Sequence, residues 1–98
     1  MDCIVVTWLD PTQGEEQCCE LRLPATIGRG RGNDLNLDHP LVSRRHVRVE
    51  RADIGVVLRD MQSRNGVWLN GRAVFCMPIT GTTCVRIGPF SLSIACTA

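Results

Sequence analysis

Apolar residues along this chain come in short runs with a period of two, not in the 3.6-residue stripes of amphipathic helices. Residues 90–96 show it most plainly: Phe90, Leu92, Ile94 and Cys96 fall on one side, Ser91, Ser93 and Ala95 on the other. Within residues 46–51, Val47 and Val49 alternate with Arg48 and Glu50, which predicts valines inward and charges outward. Val85 and Ile87 share a face in residues 83–87, and Leu21 and Leu23 share one in residues 18–23. Further strands are predicted over residues 4–9, 25–28, 35–37, 55–60 and 67–69, each bounded by turn residues. Asp10-Pro11-Thr12-Gln13-Gly14 reads as a turn, a second turn falls near Asp53, and Asn70-Gly71 is a strong hairpin signal. Gly, Pro or Asn interrupts nearly every window long enough for a helix. Many short strands at short spacing predict an all-β, two-layer sandwich or a barrel.

The 98 residues suffice for one core, so residues 1–98 are read as a single domain without linkers, repeats or low-complexity tracts. With two Trp, two Phe and no Tyr, that core must be mostly Val, Ile and Leu. Trp8 and Trp68 are expected in it. No apolar run approaches the length of a membrane span. Residues 1–9 carry Asp2 and no basic leader, so a cytoplasmic setting is expected, with no membrane partner. Six cysteines raise the question of a disulfide framework. They form no Cys-x-x-Cys, and several sit in apolar strand-like segments where Cys behaves as a small hydrophobe. Free thiols are therefore expected. His39 and His46 are not spaced with the cysteines as zinc ligands are, so no metal and no cofactor is expected.

A net charge of +1 gives no global attraction for nucleic acid, but the distribution is uneven. Every basic residue is Arg, and nine of the eleven lie between Gly28 and Arg72 against five acids. The guanidinium is a planar fork of donors matched to phosphate and carboxylate. A solvated surface would give the same bias, so position must decide. In that stretch stand Gly28-Arg29, then Ser43-Arg44-Arg45-His46, then Ser63-Arg64-Asn65-Gly66, then Asn70-Gly71. Each cluster falls where the strand pattern leaves a loop.

In order and interval these clusters resemble the forkhead-associated family, and the resemblance covers nearly the whole chain. It implies an antiparallel two-sheet β-sandwich with recognition loops at one end, binding phosphothreonine-containing proteins or peptides without catalysis. The partner would be a Ser/Thr kinase or its substrate, and the role signal transduction. Carried over residue by residue, Arg29 approaches the phosphopeptide, and Ser43 offers hydroxyl and amide to phosphate. Arg44 and Arg64 add basic contacts, and Asn65 bonds the peptide backbone. Gly28, His46, Gly66, Asn70 and Gly71 support the loops, His46 as a brace and Gly66 and Gly71 as turn glycines. Val67 stands where the family usually has threonine. Thr82-Thr83 replace a usual Gly-Asp, with Gly81 one place early, which touches a distal turn and not the site.

Competing readings are weaker. Ser43 with His46 suggests a nucleophile, but no Gly-x-Ser-x-Gly elbow and no acid in register accompany them. Gly28-Arg29-Gly30-Arg31-Gly32 looks like a dinucleotide loop until Asn33 takes the third glycine's place. As a nucleic-acid segment it lacks stacking aromatics. His39 beside Pro40 reads as a loop residue. Two rivals of other classes remain: chiefly a scaffolding or dimerising sandwich of the same fold that binds without phosphate, and second a nucleic-acid binder, which strongly salt-dependent binding of oligonucleotides would reveal.

Overall fold

A computed structural model describes residues 2–11 and 13–97. Thr12 of the expected 10–14 turn lies outside the described residues. The strands are β1 (Cys3–Leu9), β2 (Glu16–Arg22), β3 (Ala25–Gly28), β4 (Leu35–Asn36), β5 (Val47–Ala52), β6 (Gly55–Asp60), β7 (Val67–Leu69), β8 (Arg72–Val74), β9 (Cys76–Pro78), β10 (Thr82–Ile87) and β11 (Phe90–Thr97). They form two sheets, of order β2-β1-β11-β10-β7-β8 and β4-β3-β5-β6-β9. The fold is all-β, as the alternation predicts, and of the sandwich and barrel it leaves open the structure is the two-sheet sandwich that the resemblance implies. Pairing is antiparallel throughout except for β3 and β4, which run parallel, with Ile27 opposite Leu35.

The period-two pattern explains the core. Ile4, Val6, Leu92, Ile94, Val85 and Ile87 point inward from the larger sheet, and Ile27, Val47, Val49 and Leu58 from the smaller. Each is nearly or wholly buried, and burial of such a side chain contributes about 1.5–3 kcal/mol. Asn70 and Gly71 turn β7 into β8 with φ of 51° and 81°, the paired positive values of a tight hairpin.

Two expectations fail here. Trp68 is 41% exposed, not core. Val67 takes the inward slot opposite Ile87, so alternation sends Trp68 outward beside Arg86. Trp8 is half-buried against the core. Nor do the cysteines act mainly as core hydrophobes: Cys18, Cys76, Cys84 and Cys96 are exposed, and Cys3 and Cys19 are half-buried. Cys96 is level with Ile4 near the end of β11 but stays open to solvent. Burial, then the neighbouring Cys18, pushes the Cys19 thiol up from its ordinary value. Among the described residues no helix is long and apolar enough to cross a membrane.

The connections 29–34 and 37–46, within the smaller sheet, and 61–66, which crosses to the larger one, meet at one end of the sandwich, tied by hydrogen bonds of Ser43, Arg44 and His46. The turn at Gly88 joins them, since a side chain there would meet Val42 and Leu41 at 3.2–3.4 Å. The β5–β6 hairpin lies at the opposite end.

Candidate functional site

The end of β3 and the approach to β5 are fastened to each other through the backbone. Arg29 N donates to Ser43 O (2.9 Å), Gly30 N to Arg44 O (3.1 Å) and His46 N to Ile27 O (3.0 Å). This closeness dictates the residue at 28. A Cβ on Gly28 would overlap the Arg44 carbonyl oxygen and stand 2.9 Å from its carbon. The requirement is room for a crossing backbone, not a left-handed φ. At Gly30 a Cβ would stand 2.7 Å from Arg44 Cγ, so the stem of Arg44 lies over the Arg29–Gly30 turn.

His46 is fully buried and bonded at four points. Its backbone holds Ile27 O and Met61 N, the latter at 2.9 Å. Its ring accepts from Ser43 N at Nδ1 (3.0 Å) and meets Gly66 O at Nε2 (2.7 Å). An amide can only donate and a carbonyl only accept. The ring is therefore the neutral tautomer with its proton on Nε2. One imidazole thus joins the β4–β5 connection to the β6–β7 connection. The Ser43 amide, which the resemblance implies as a phosphate ligand, is committed to this histidine.

The Ser43 hydroxyl oxygen accepts from Arg64 N at 2.9 Å, which leaves the hydroxyl proton as the group free to donate outward. Asn65 Nδ2 donates to Leu41 O at 2.8 Å, and its partner's being a carbonyl fixes which way the amide faces. The Asn65 Oδ1 then remains an acceptor on an exposed side chain. Asp60 Oδ1 accepts from Ser63 N and Ser63 Oγ from Gly66 N, which tightens the 60–66 turn around Gln62 at φ 58° and Gly66 at φ 79°. Arg29 directs Nε onto Val42 O at 3.1 Å. Ser43, Arg64 and Asn65 are thus brought together by direct ties, with Arg29 and Arg44 on the adjoining turn. Asn70 and Gly71 form their hairpin next to Asn65, lining the same groove.

The FHA domain profile matches residues 25–88, well over half of the chain. The chain belongs to the FHA domain family. No match was found among curated proteins. Among solved structures, the first FHA domain of Mycobacterium tuberculosis Rv1747 is 28% identical, with a TM-score of 0.75, covering 97% of this chain and 98% of that one. The FHA domain of FhaA is 25% identical, with a TM-score of 0.78 and coverage of 93% and 98%. The FHA domain of the Chlamydia trachomatis protein CT664 shares the fold at 20% identity, with a TM-score of 0.80 and coverage of 98% and 99%. FHA domains are interaction modules.

Two features of this FHA domain are not evident in its sequence. Asn33 directs Nδ2 at both Gly30 O and Arg44 O, each at 2.7 Å, so one side chain pins the two loops together. Its Oδ1 is buried without a hydrogen-bond partner among the described residues. Trp68 donates from Nε1 to Asn65 O at 2.8 Å and walls a groove of about 520 Å³ together with Leu41, Asn65, Cys84, Arg86 and Ser91. An Asn after Arg-Gly repeats and a Trp in an apolar run carry no local signal of either role.

Proposed function

We propose that residues 1–98 form one recognition module that binds a phosphothreonine segment of a partner protein and catalyses nothing. The observation that carries this reading is the state of Ser43. Its oxygen is held by the Arg64 amide, so its proton is left free to donate, on a loop that is tied to two others carrying exposed arginines. A donor among cations suits a tetrahedral dianion and gives no nucleophile, because the one nearby histidine nitrogen able to accept a proton already holds the Ser43 amide. Arg29, Arg44 and Arg64 supply charge to the phosphate, and Asn65 receives a peptide amide beside it. The FhaA domain was crystallised with the intracellular domain of Rv3910, which favours a protein as partner here too. The partner would be a Ser/Thr kinase or its substrate, met in the cytoplasm, where four exposed thiols stay reduced.

The test is a titration of one peptide in three forms: phosphothreonine, phosphoserine and unphosphorylated. Phosphothreonine should bind tightest. Burying its methyl is worth about 0.8 kcal/mol, and the void left by serine and the stiffer β-branched rotamer raise the preference to roughly 1–3 kcal/mol. Affinity should weaken as pH falls from 7 to 5, because the dianion is lost through the second phosphate pKa of about 6. Equal affinity for the unphosphorylated peptide would replace this reading with a phosphate-independent scaffold. Equal affinity for phosphoserine would reduce the site to a plain anion receptor.

A further inference from the structure

The arginines at the recognition end outnumber what one phosphate needs. Arg29, Arg31, Arg44, Arg45 and Arg64 are all exposed, and they sit on loops bound directly to one another by the Arg29–Ser43, Gly30–Arg44 and Arg64–Ser43 hydrogen bonds. Among the described residues no ion pair joins any of the five to a carboxylate; the ion pairs present hold Arg48, Arg51 and Arg59. The nearby carboxylates face elsewhere, two of them hydrogen-bonded there. Asp34 receives the Thr26 amide and hydroxyl, Asp38 lines a separate cleft with Trp8, and Asp60 caps Ser63. A phosphothreonine carries a charge of about −1.5 to −2 at neutral pH and so balances roughly two guanidiniums. About three would stay uncompensated, on loops whose backbones are tied together.

Resting on the phosphothreonine reading above, we infer that the ligand is a phosphothreonine segment bearing further anionic groups beside the phosphate, bound by Arg31 and Arg45 on the rim. The shared chemistry is a carboxylate or a second phosphate, either of which accepts a bidentate guanidinium. Arg31 follows Gly30 in the turn that carries Arg29, and Arg45 follows Arg44. Both are exposed neighbours of residues assigned to the phosphate, and neither is itself assigned to it.

The test uses the whole 98-residue chain and four peptides: phosphothreonine with neutral flanks, the same with Asp and Glu flanks, the same with a second phosphothreonine, and an acidic unphosphorylated control. At low salt the anionic phosphopeptides should bind about tenfold tighter than the neutral one, the sum of two or three exposed ion pairs. That ratio should shrink towards one near 1 M salt, where screening acts over about 3 Å. It should also collapse in the R31Q/R45Q double variant, whose melting temperature checks that folding is unaffected. A gain for the second phosphate but not for carboxylates supports the inference and assigns the source to multiple phosphorylation. Equal affinity for neutral and anionic phosphopeptides overturns it and leaves the phosphothreonine reading standing. If no phosphopeptide binds, or the acidic control binds as well as they do, the phosphothreonine reading itself falls. Tighter binding of a single-stranded oligonucleotide than of every peptide would overturn the inference in favour of nucleic acid.

Discussion

The two ends of this sandwich use the same residue type in opposite ways. Away from the candidate recognition loops, Arg48, Arg51 and Arg59 are held in ion pairs. Arg51 forms a two-pronged ion pair with Asp2, and Arg48 and Arg59 converge on Glu50 at 2.7 and 3.3 Å across β5 and β6. Those partners are visible in the carboxyl groups. Arg51 holds Asp2 below the ordinary aspartate range, and Arg48, then Arg59, does the same to Glu50. At the other end, among the described residues, no carboxylate pairs with Arg29, Arg31, Arg44, Arg45 or Arg64, while the backbone beneath them is hydrogen-bonded around buried His46. On the β5–β6 face, charge is thus satisfied within the protein. At the proposed site hydrogen bonds already fix the loops, so that on the proposed function little ordering cost would fall on binding.

The sharpest way to break the contrast is to remove its pivot. His46→Ala should orphan the Ser43 amide and the Gly66 carbonyl inside the protein, at about 3 kcal/mol. Thermal unfolding should show a large drop in melting temperature, and phosphopeptide affinity should fall with it, since two loops lose their tie. An unchanged melting temperature would show that the loops do not depend on the imidazole. Next in size is a paired comparison. Arg29→Ala should weaken phosphopeptide binding by roughly 1.5–3 kcal/mol, the range for a lost charged hydrogen bond, with a small change in stability. Arg51→Ala should leave binding alone. Calorimetric titration of both variants would reverse our assignment if Arg51→Ala lost affinity and Arg29→Ala did not.

The smallest effect concerns pH at the far end. The Asp2 carboxyl has its pKa depressed in the folded protein, so its pairing with Arg51 stabilises above the unfolded aspartate value of about 3.9 and is lost as pH falls through the folded value. Asp2→Asn should lower the melting temperature slightly at pH 7. The difference should narrow below about pH 4 and disappear once the wild-type carboxylate is protonated. A deficit that persisted in strong acid would point to lost packing and not to charge.

Much of this was legible beforehand, and the exceptions share a cause. β3, β6 and β7 begin and end where alternation and flanking turn residues place them, because those signals are local. β8 and β9 were not foreseen. Each has three residues, too few for a period to register, and Pro78 reads as a breaker until β9 is seen to be an edge strand, where a missing N–H is tolerated. The loop residues announced themselves by type and order. Asn33 did not, because its partner Arg44 is eleven positions away and contributes only a carbonyl. The sequence alone puts Trp68 in the core because a three-residue strand does not say which of its faces is inward; pairing with β10 decides it. Only the geometry of His46 showed that the Ser43 amide is already taken.

The position of Trp68 has one practical consequence. Its indole N–H is fastened to the carbonyl of Asn65, and its ring stands partly in water on the wall of the groove. Indole emission responds to polarity and to hydrogen bonding at that nitrogen, so a peptide docking at Asn65 would change the colour and intensity of this ring's fluorescence. The second indole, Trp8, sits half-buried on β1 and would supply a steady background that a Trp8→Phe substitution removes. The domain therefore carries its own optical gauge of occupancy, attached to the residue whose engagement is in question, and needs no dye to be read.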